Sequence, residues 1–148
     1  MMEKLLKVVI IDDNKDYLFS METFLSRNGF IVQTASNGKD GLDLIKKEHP
    51  DVILLDVMME SVLAGFEVCK AVRSDSHLEY IAIVGISGMG EELGLKYEQY
   101  RDDEYFTPDE FVEKPVDKQR LLSVIEKAIK KAKAKKKPPA WRFVETAP

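Results

Sequence analysis

Three aspartates stand where short apolar runs stop. Asp12 and Asp13 follow LLKVVII, and Asp56 closes VILLD. A carboxylate at the end of an apolar run is costly unless it finds a partner. If these runs are strands of one parallel sheet, their carboxyl ends share an edge, and ligands bind at that edge where the strand order reverses. Three carboxylates gathered there repel one another and call for a cation. An all-oxygen donor set favours a hard ion such as Mg²⁺, which keeps several waters. His49 and His77 are isolated and Cys69 is the single cysteine, so no Cys/His set points to zinc. Two more runs end in useful groups: IAIVGIS offers the Ser87 hydroxyl and EFVEKP the Lys114 ammonium. A cation, a lysine and a hydroxyl together neutralise the three oxygens of a phosphoryl group, which is the main demand of phosphoryl transfer. Asp56 is then the nucleophile, since carboxylates form aspartyl-phosphates, with Asp12 and Asp13 holding the metal. Taken singly, these residues have plainer roles: a helix N-cap for Asp12 or Asp13, a turn hydroxyl for Ser87, a surface ion pair for Lys114. Their recurrence at successive strand ends favours the joint reading.

The elements that must position them alternate along the chain. Apolar runs lie at LLKVVII, FIVQTA, VILLD, IAIVGIS and EFVEKP. Between them Tyr17, Leu18, Met21, Phe24 and Leu25 recur at helical spacing, as do Leu42, Leu44 and Ile45, then Phe66, Cys69 and Val72. Asn28-Gly29 and Asn37-Gly38 mark helix ends or turns. Nearly continuous apolar runs suit central parallel strands covered on both faces. The alternation predicts an α/β fold, a doubly wound sheet of five parallel strands with helices on both faces. After Pro115, Val116 to Lys137 reads as one helix, with Leu121, Leu122, Val124, Ile125, Ala128 and Ile129 on its apolar face. From Lys130 that face fades, so the last turns are expected to project from the body until Pro138-Pro139 stops the helix.

The chain has 148 residues, 45% of them hydrophobic, which suits one domain with a real core. The expected division is a domain over 1–130, then a basic helix extension and short tail over 131–148. Lys127 to Lys137 holds seven lysines and no acid; setting them aside from the net −4 leaves −11 for the rest. So acidic a body argues against direct nucleic-acid binding. No apolar run is long enough for a transmembrane helix, MMEKLLKVVI is a poor signal peptide, and one cysteine forms no internal disulfide. A cytoplasmic protein is expected.

Over roughly residues 5 to 130 the chain resembles the response-regulator receiver family of two-component signalling. The resemblance rests on VVIIDDN, ILLDVMM, IVGIS and EKP, in order and at consecutive strand ends. It implies the flavodoxin-like strand order 2-1-3-4-5. It also implies Asp56 as phosphoacceptor, Mg²⁺ held by Asp12, Asp13, Asp56 and the backbone carbonyl of Met58, and phosphoryl contacts from Ser87 and Lys114. Phe111, three residues before Lys114, matches the aromatic that turns inward as the hydroxyl residue moves. Ser87 and Phe111 would form the switch, altering the surface around the fifth strand. The implied partners are a sensor histidine kinase or phosphotransfer protein and an unknown downstream protein, with a phosphorylation-dependent homodimer left open. Three features differ from the family's usual pattern: Glu60 stands where proline is common, Gly65 comes one residue late, and Gly88 follows Ser87.

The expected function is a stand-alone response regulator that takes a phosphoryl group on Asp56 and is not a turnover enzyme. Two alternatives remain: a degenerate receiver that binds partners without phosphorylation, and an aspartyl-phosphate phosphatase. The latter needs a second Asp two residues after the nucleophile, where this chain has Met58. A serine hydrolase is excluded, because GISGM lacks the second glycine of a nucleophile elbow and no histidine follows Ser87. Gly85, Gly88 and Gly90 likewise fail the dinucleotide-binding spacing.

Overall fold

The computed structural model describes residues 5–56, 62–87 and 108–136. Its elements run β1 (Lys7–Ile11), α1 (Lys15–Arg27), β2 (Ile31–Ala35), α2 (Gly38–Glu48), β3 (Val52–Asp56), α3 (Val62–Ser74), β4 (Ala82–Ser87), β5 (Glu110–Glu113) and α4 (Lys118–Lys136). The five strands form one parallel sheet in the order β2-β1-β3-β4-β5. That is the flavodoxin-like doubly wound arrangement expected from the sequence.

Period-two alternation divides the core between the two faces. Val8, Ile10, Val52, Leu54, Val84 and Val112 pack toward α1 and α4. Val9, Ile11, Ile53, Leu55 and Ile83 pack toward α2 and α3, together with Ile45, Cys69 and Val72. All five β3 residues are buried, which explains their unbroken apolar run up to Asp56. Each of its four apolar side chains removed from water contributes about 1.5–3 kcal/mol. The edge strand β2 buries only Ala35 fully, so its alternating pattern is the weakest of the apolar runs.

Local chemistry sets the helix ends. Asn14 caps α1, its side chain accepting from the Tyr17 N–H at 3.0 Å, and Asn37 caps α2 by accepting from Asp40 N–H at 2.8 Å. Asn28-Gly29 ends α1, with Gly29 at φ +88°, the left-handed region where glycine carries no steric penalty. Asn37-Gly38 is thus a helix start, and Asn28-Gly29 a helix stop. Gly65 lies within α3 and is buried. Asp117 Oδ1 accepts from the Gln119 N–H at 3.0 Å, so α4 begins at Lys118, two residues later than the apolar pattern suggests.

The end of α4 differs from expectation. Instead of projecting, it stays on the body: Ala132 is buried, Lys131 Nζ lies 2.7 Å from Glu110 Oε2, and Lys135 Nζ lies 3.3 Å from Asp109 Oδ1. Asp109, just before β5, is the hub. Its Oδ2 accepts from Arg73 Nη2 and from the Ile83 N–H, both at 2.8 Å, while Arg73 Nη1 also donates to Glu79 and Ile81 carbonyls. This network ties α3, β4, β5 and α4 together at the pole opposite the strands' carboxyl ends.

Candidate functional site

β1 and β3 are hydrogen-bonded neighbours, with Ile11 level with Leu55. One step further along, Asp12 and Asp56 therefore emerge level at the edge where strand order reverses between β1 and β3. Both are almost fully buried, whereas Asp13 is exposed. Carboxylate oxygens of Asp12, Asp13 and Asp56 all lie within 4.8 Å of one another, the one such acidic group among the described residues. A small cation with oxygen ligands at about 2.1 Å bridges a gap of that order, and the all-carboxylate donors match a hard ion. The residues present fit Mg²⁺.

Asp12 is held on three sides. Its N–H donates to the Ala35 carbonyl at 3.1 Å, and its Oδ1 accepts from the Asn14 N–H at 2.9 Å. Its Oδ2 accepts from Lys114 Nζ, also at 2.9 Å. The same ammonium lies 3.7 Å from Asp56 Oδ2. Lys114 follows β5 directly, and its peptide bond to Pro115 is cis. One cation thus already offsets part of the carboxylate repulsion.

Ser87 closes β4, one step beyond Ile86, which is level with Asp56. Its side chain, like all of Met58 and Glu60, lies outside the described residues. Phe111 sits beside Gly85 in the β4–β5 ladder and packs on the α2/α3 side of the sheet. The structure thus joins Asp12, Asp13, Asp56 and Lys114 in one pocket, with the backbone of Ser87 at the same edge and Phe111 one strand away.

Tyr17 was legible only as a core position of α1. Its ring faces the Lys114 ammonium, with Nζ 4.2 Å from the ring centroid. Its hydroxyl is buried without a hydrogen-bond partner among the described residues. Burial first, and then the negative charges of Asp12 and Asp56, push the phenol well above its usual pKa. An aromatic one turn into the helix that follows the acidic pair is the only sequence signal for this residue.

A flavodoxin-like sheet with an acidic pocket and a lysine at its carboxyl edge defines a narrow class of signalling folds. The model of the response regulator receiver domain matches residues 8–126. The chain belongs to that family, the receivers of two-component systems. A probable transcriptional regulator, ycf27, of Guillardia theta is 32% identical over 126 residues, covering 84% of this chain and 46% of the relative. The corresponding protein of Porphyridium aerugineum is 29% identical over 84% of this chain and 48% of its own. The chain therefore spans about half the length of these curated relatives. Among solved structures, the Vibrio cholerae chemotaxis protein CheY4 superposes with a TM-score of 0.71 at 26% identity, covering 84% of this chain and 99% of that one. A response regulator receiver domain protein of Clostridium thermocellum gives 0.72 at 25% identity, covering 88% and 98%. Among the described residues, no helix is long and apolar enough to cross a membrane.

Proposed function

We propose that the protein is a phosphorylation switch in which Asp56 accepts a phosphoryl group from a phosphohistidine of a sensor kinase or phosphotransfer protein. The convergence of Asp12, Asp13, Asp56 and Lys114 on one strand edge carries this reading. An Asp56 carboxylate oxygen forms the new O–P bond as the donor's N–P bond breaks, and the freed imidazole nitrogen keeps the electron pair and takes up a proton. Asp12, Asp13, Asp56 and the backbone carbonyl of Met58 would hold Mg²⁺, which when bound would offset the charge of the transferring group. Lys114 turns from Asp12 toward a phosphoryl oxygen, and the Ser87 hydroxyl takes another. Burial of Asp12 and Asp56 keeps these interactions in a low-dielectric setting, where they are strongest.

The output is a two-state change in which Ser87 and Phe111 shift and the surface around β5 alters its preference for a separate downstream protein. The protein assists its own phosphorylation without turning over a substrate, and it works in the cytoplasm. Incubation with acetyl phosphate and Mg²⁺, read by intact mass, tests this. One added phosphoryl group in the native chain and none in Asp56→Asn is the expected result. Equal labelling of both would overturn Asp56 as the acceptor, and labelling of neither would leave a phosphorylation-independent binding module.

A further inference from the structure

Lys114 has a second anchor besides the carboxylates. Its ammonium lies over the face of Tyr17, 4.2 Å from the ring centroid, while bonded to Asp12 Oδ2 at 2.9 Å. The lysine side chain is 24% exposed. Tyr17 is held in turn: its N–H donates to the Asn14 side chain that caps α1, and its ring packs against the core between sheet, α1 and α4.

We infer that Tyr17 is a positioning residue for phosphoryl transfer, its ring serving as a bearing on which the Lys114 ammonium swings from Asp12 to the phosphoryl group on Asp56. The inference rests on the proposed function above. A carboxylate contact is directional and must break when Asp12 serves the metal and Lys114 serves the phosphoryl group. Attraction to a ring face persists out to about 6 Å from the centroid, so Nζ, now at 4.2 Å, can shift across the face without losing it. The two contacts differ in another respect. Asp12 competes with the phosphoryl group for the lysine, whereas a neutral phenol ring does not. Because the Tyr17 hydroxyl has no hydrogen-bond partner among the described residues, the ring face, not the oxygen, carries the role.

The test compares Tyr17→Phe, which keeps the ring, with Tyr17→Leu, which keeps apolar bulk but removes the face. The readout is the rate of Asp56 labelling by acetyl phosphate at saturating Mg²⁺, after calorimetry shows that each variant folds. Tyr17→Leu should slow labelling by about threefold to tenfold, the scale of a partly desolvated cation–π contact, and Tyr17→Phe should restore it. In a Lys114→Ala background the same Tyr17→Leu change should cost nothing further. An equal loss with and without Lys114 would overturn the inference, because a merely structural ring would act regardless of the lysine. If the native protein takes no label at all, the proposed function fails and NMR decides the pairing by itself. The Lys114 Hε signals should be shifted upfield by the ring current in the native chain and in Tyr17→Phe, and return downfield in Tyr17→Leu. Unshifted Hε signals in the native protein would sink the pairing.

Discussion

Lys114 reaches back across 102 positions of sequence to Asp12, its Nζ 2.9 Å from Oδ2 of a carboxylate that belongs to the acidic trio. In the proposed switch, where Asp12 would help to hold Mg²⁺, the ammonium and the ion would compete for that one carboxylate. Lys114→Ala should leave Mg²⁺ affinity equal or higher, because the ammonium no longer has to be displaced from Asp12. Labelling of Asp56 should fall at least tenfold, since a charge aimed at the phosphoryl oxygens is gone. Calorimetric Mg²⁺ titration beside a labelling time course separates the two effects. Weaker Mg²⁺ binding would show that Lys114 orders the carboxylates and does not compete with the ion.

Asp13 is the exposed member of the acidic trio. Its removal should cost the metal-free fold nothing, and relief of repulsion should make Asp13→Asn equal to or slightly more stable than the native chain. Mg²⁺ at about a hundred times its dissociation constant should stabilise the native protein by about 2.7 kcal/mol. Thermal melts with and without Mg²⁺ should show that gain in the native protein and little of it in Asp13→Asn.

Tyr17 should make the protein sensitive to alkali. Its folded pKa is raised above the usual value near 10, by burial and then by Asp12 and Asp56. Below pH 10 the phenol is neutral in both folded and unfolded chains, so its contribution to stability is constant. Above pH 10 the unfolded chain loses the proton first, and stability falls as pH rises. Denaturant melts between pH 9 and 11 should show a shallower decline for Tyr17→Phe. A parallel decline in both proteins would remove Tyr17 as the cause.

What the sequence disclosed follows from which interactions are local. β1, β3 and β4 were plain because buried strands in a parallel sheet must be apolar on both faces, and their terminal Asp12, Asp56 and Ser87 stood out against that background. The caps at Asn14 and Asn37 act over three residues. β5 has four residues and one fully buried side chain, Val112, so periodicity alone is thin there and the EKP motif carried it. Pairings across distant elements left no such trace. Nothing near Tyr17 announces Lys114, and the lysines at the end of α4 read as a solvated run until Asp109 and Glu110 are placed beside them.

The Arg73–Asp109 pair, closed at 2.8 Å with the Asp109 side chain wholly buried, gives a prediction about folding. Arg73→Met would leave a buried carboxylate short of its main counter-charge and should cost about 3–5 kcal/mol. Adding Asp109→Asn removes that charge, so the double variant should be less destabilised than the two single losses combined, with coupling of about 0.5–3 kcal/mol. Urea denaturation of the four proteins measures this. Simple additivity would mean that Lys135 and the Ile83 N–H satisfy Asp109 without Arg73.

Gly85 and Phe111 are partners in the β4–β5 ladder, and a Cβ on Gly85 would come within 2.9 Å of the Phe111 ring. The ring occupies space that a side chain would fill, so Gly85→Ala should push it out and cost about 1–3 kcal/mol through overpacking. In a Phe111→Ala background the space is open. There the same substitution should become neutral or stabilising by about 0.5–1 kcal/mol, because alanine loses less backbone freedom than glycine in a strand. A reversal of sign in the melting temperatures would establish that the ring's seat requires Gly85. It would also supply a variant biased against the seated ring, in which the response of the β5 surface to phosphorylation can be compared with that of the native chain.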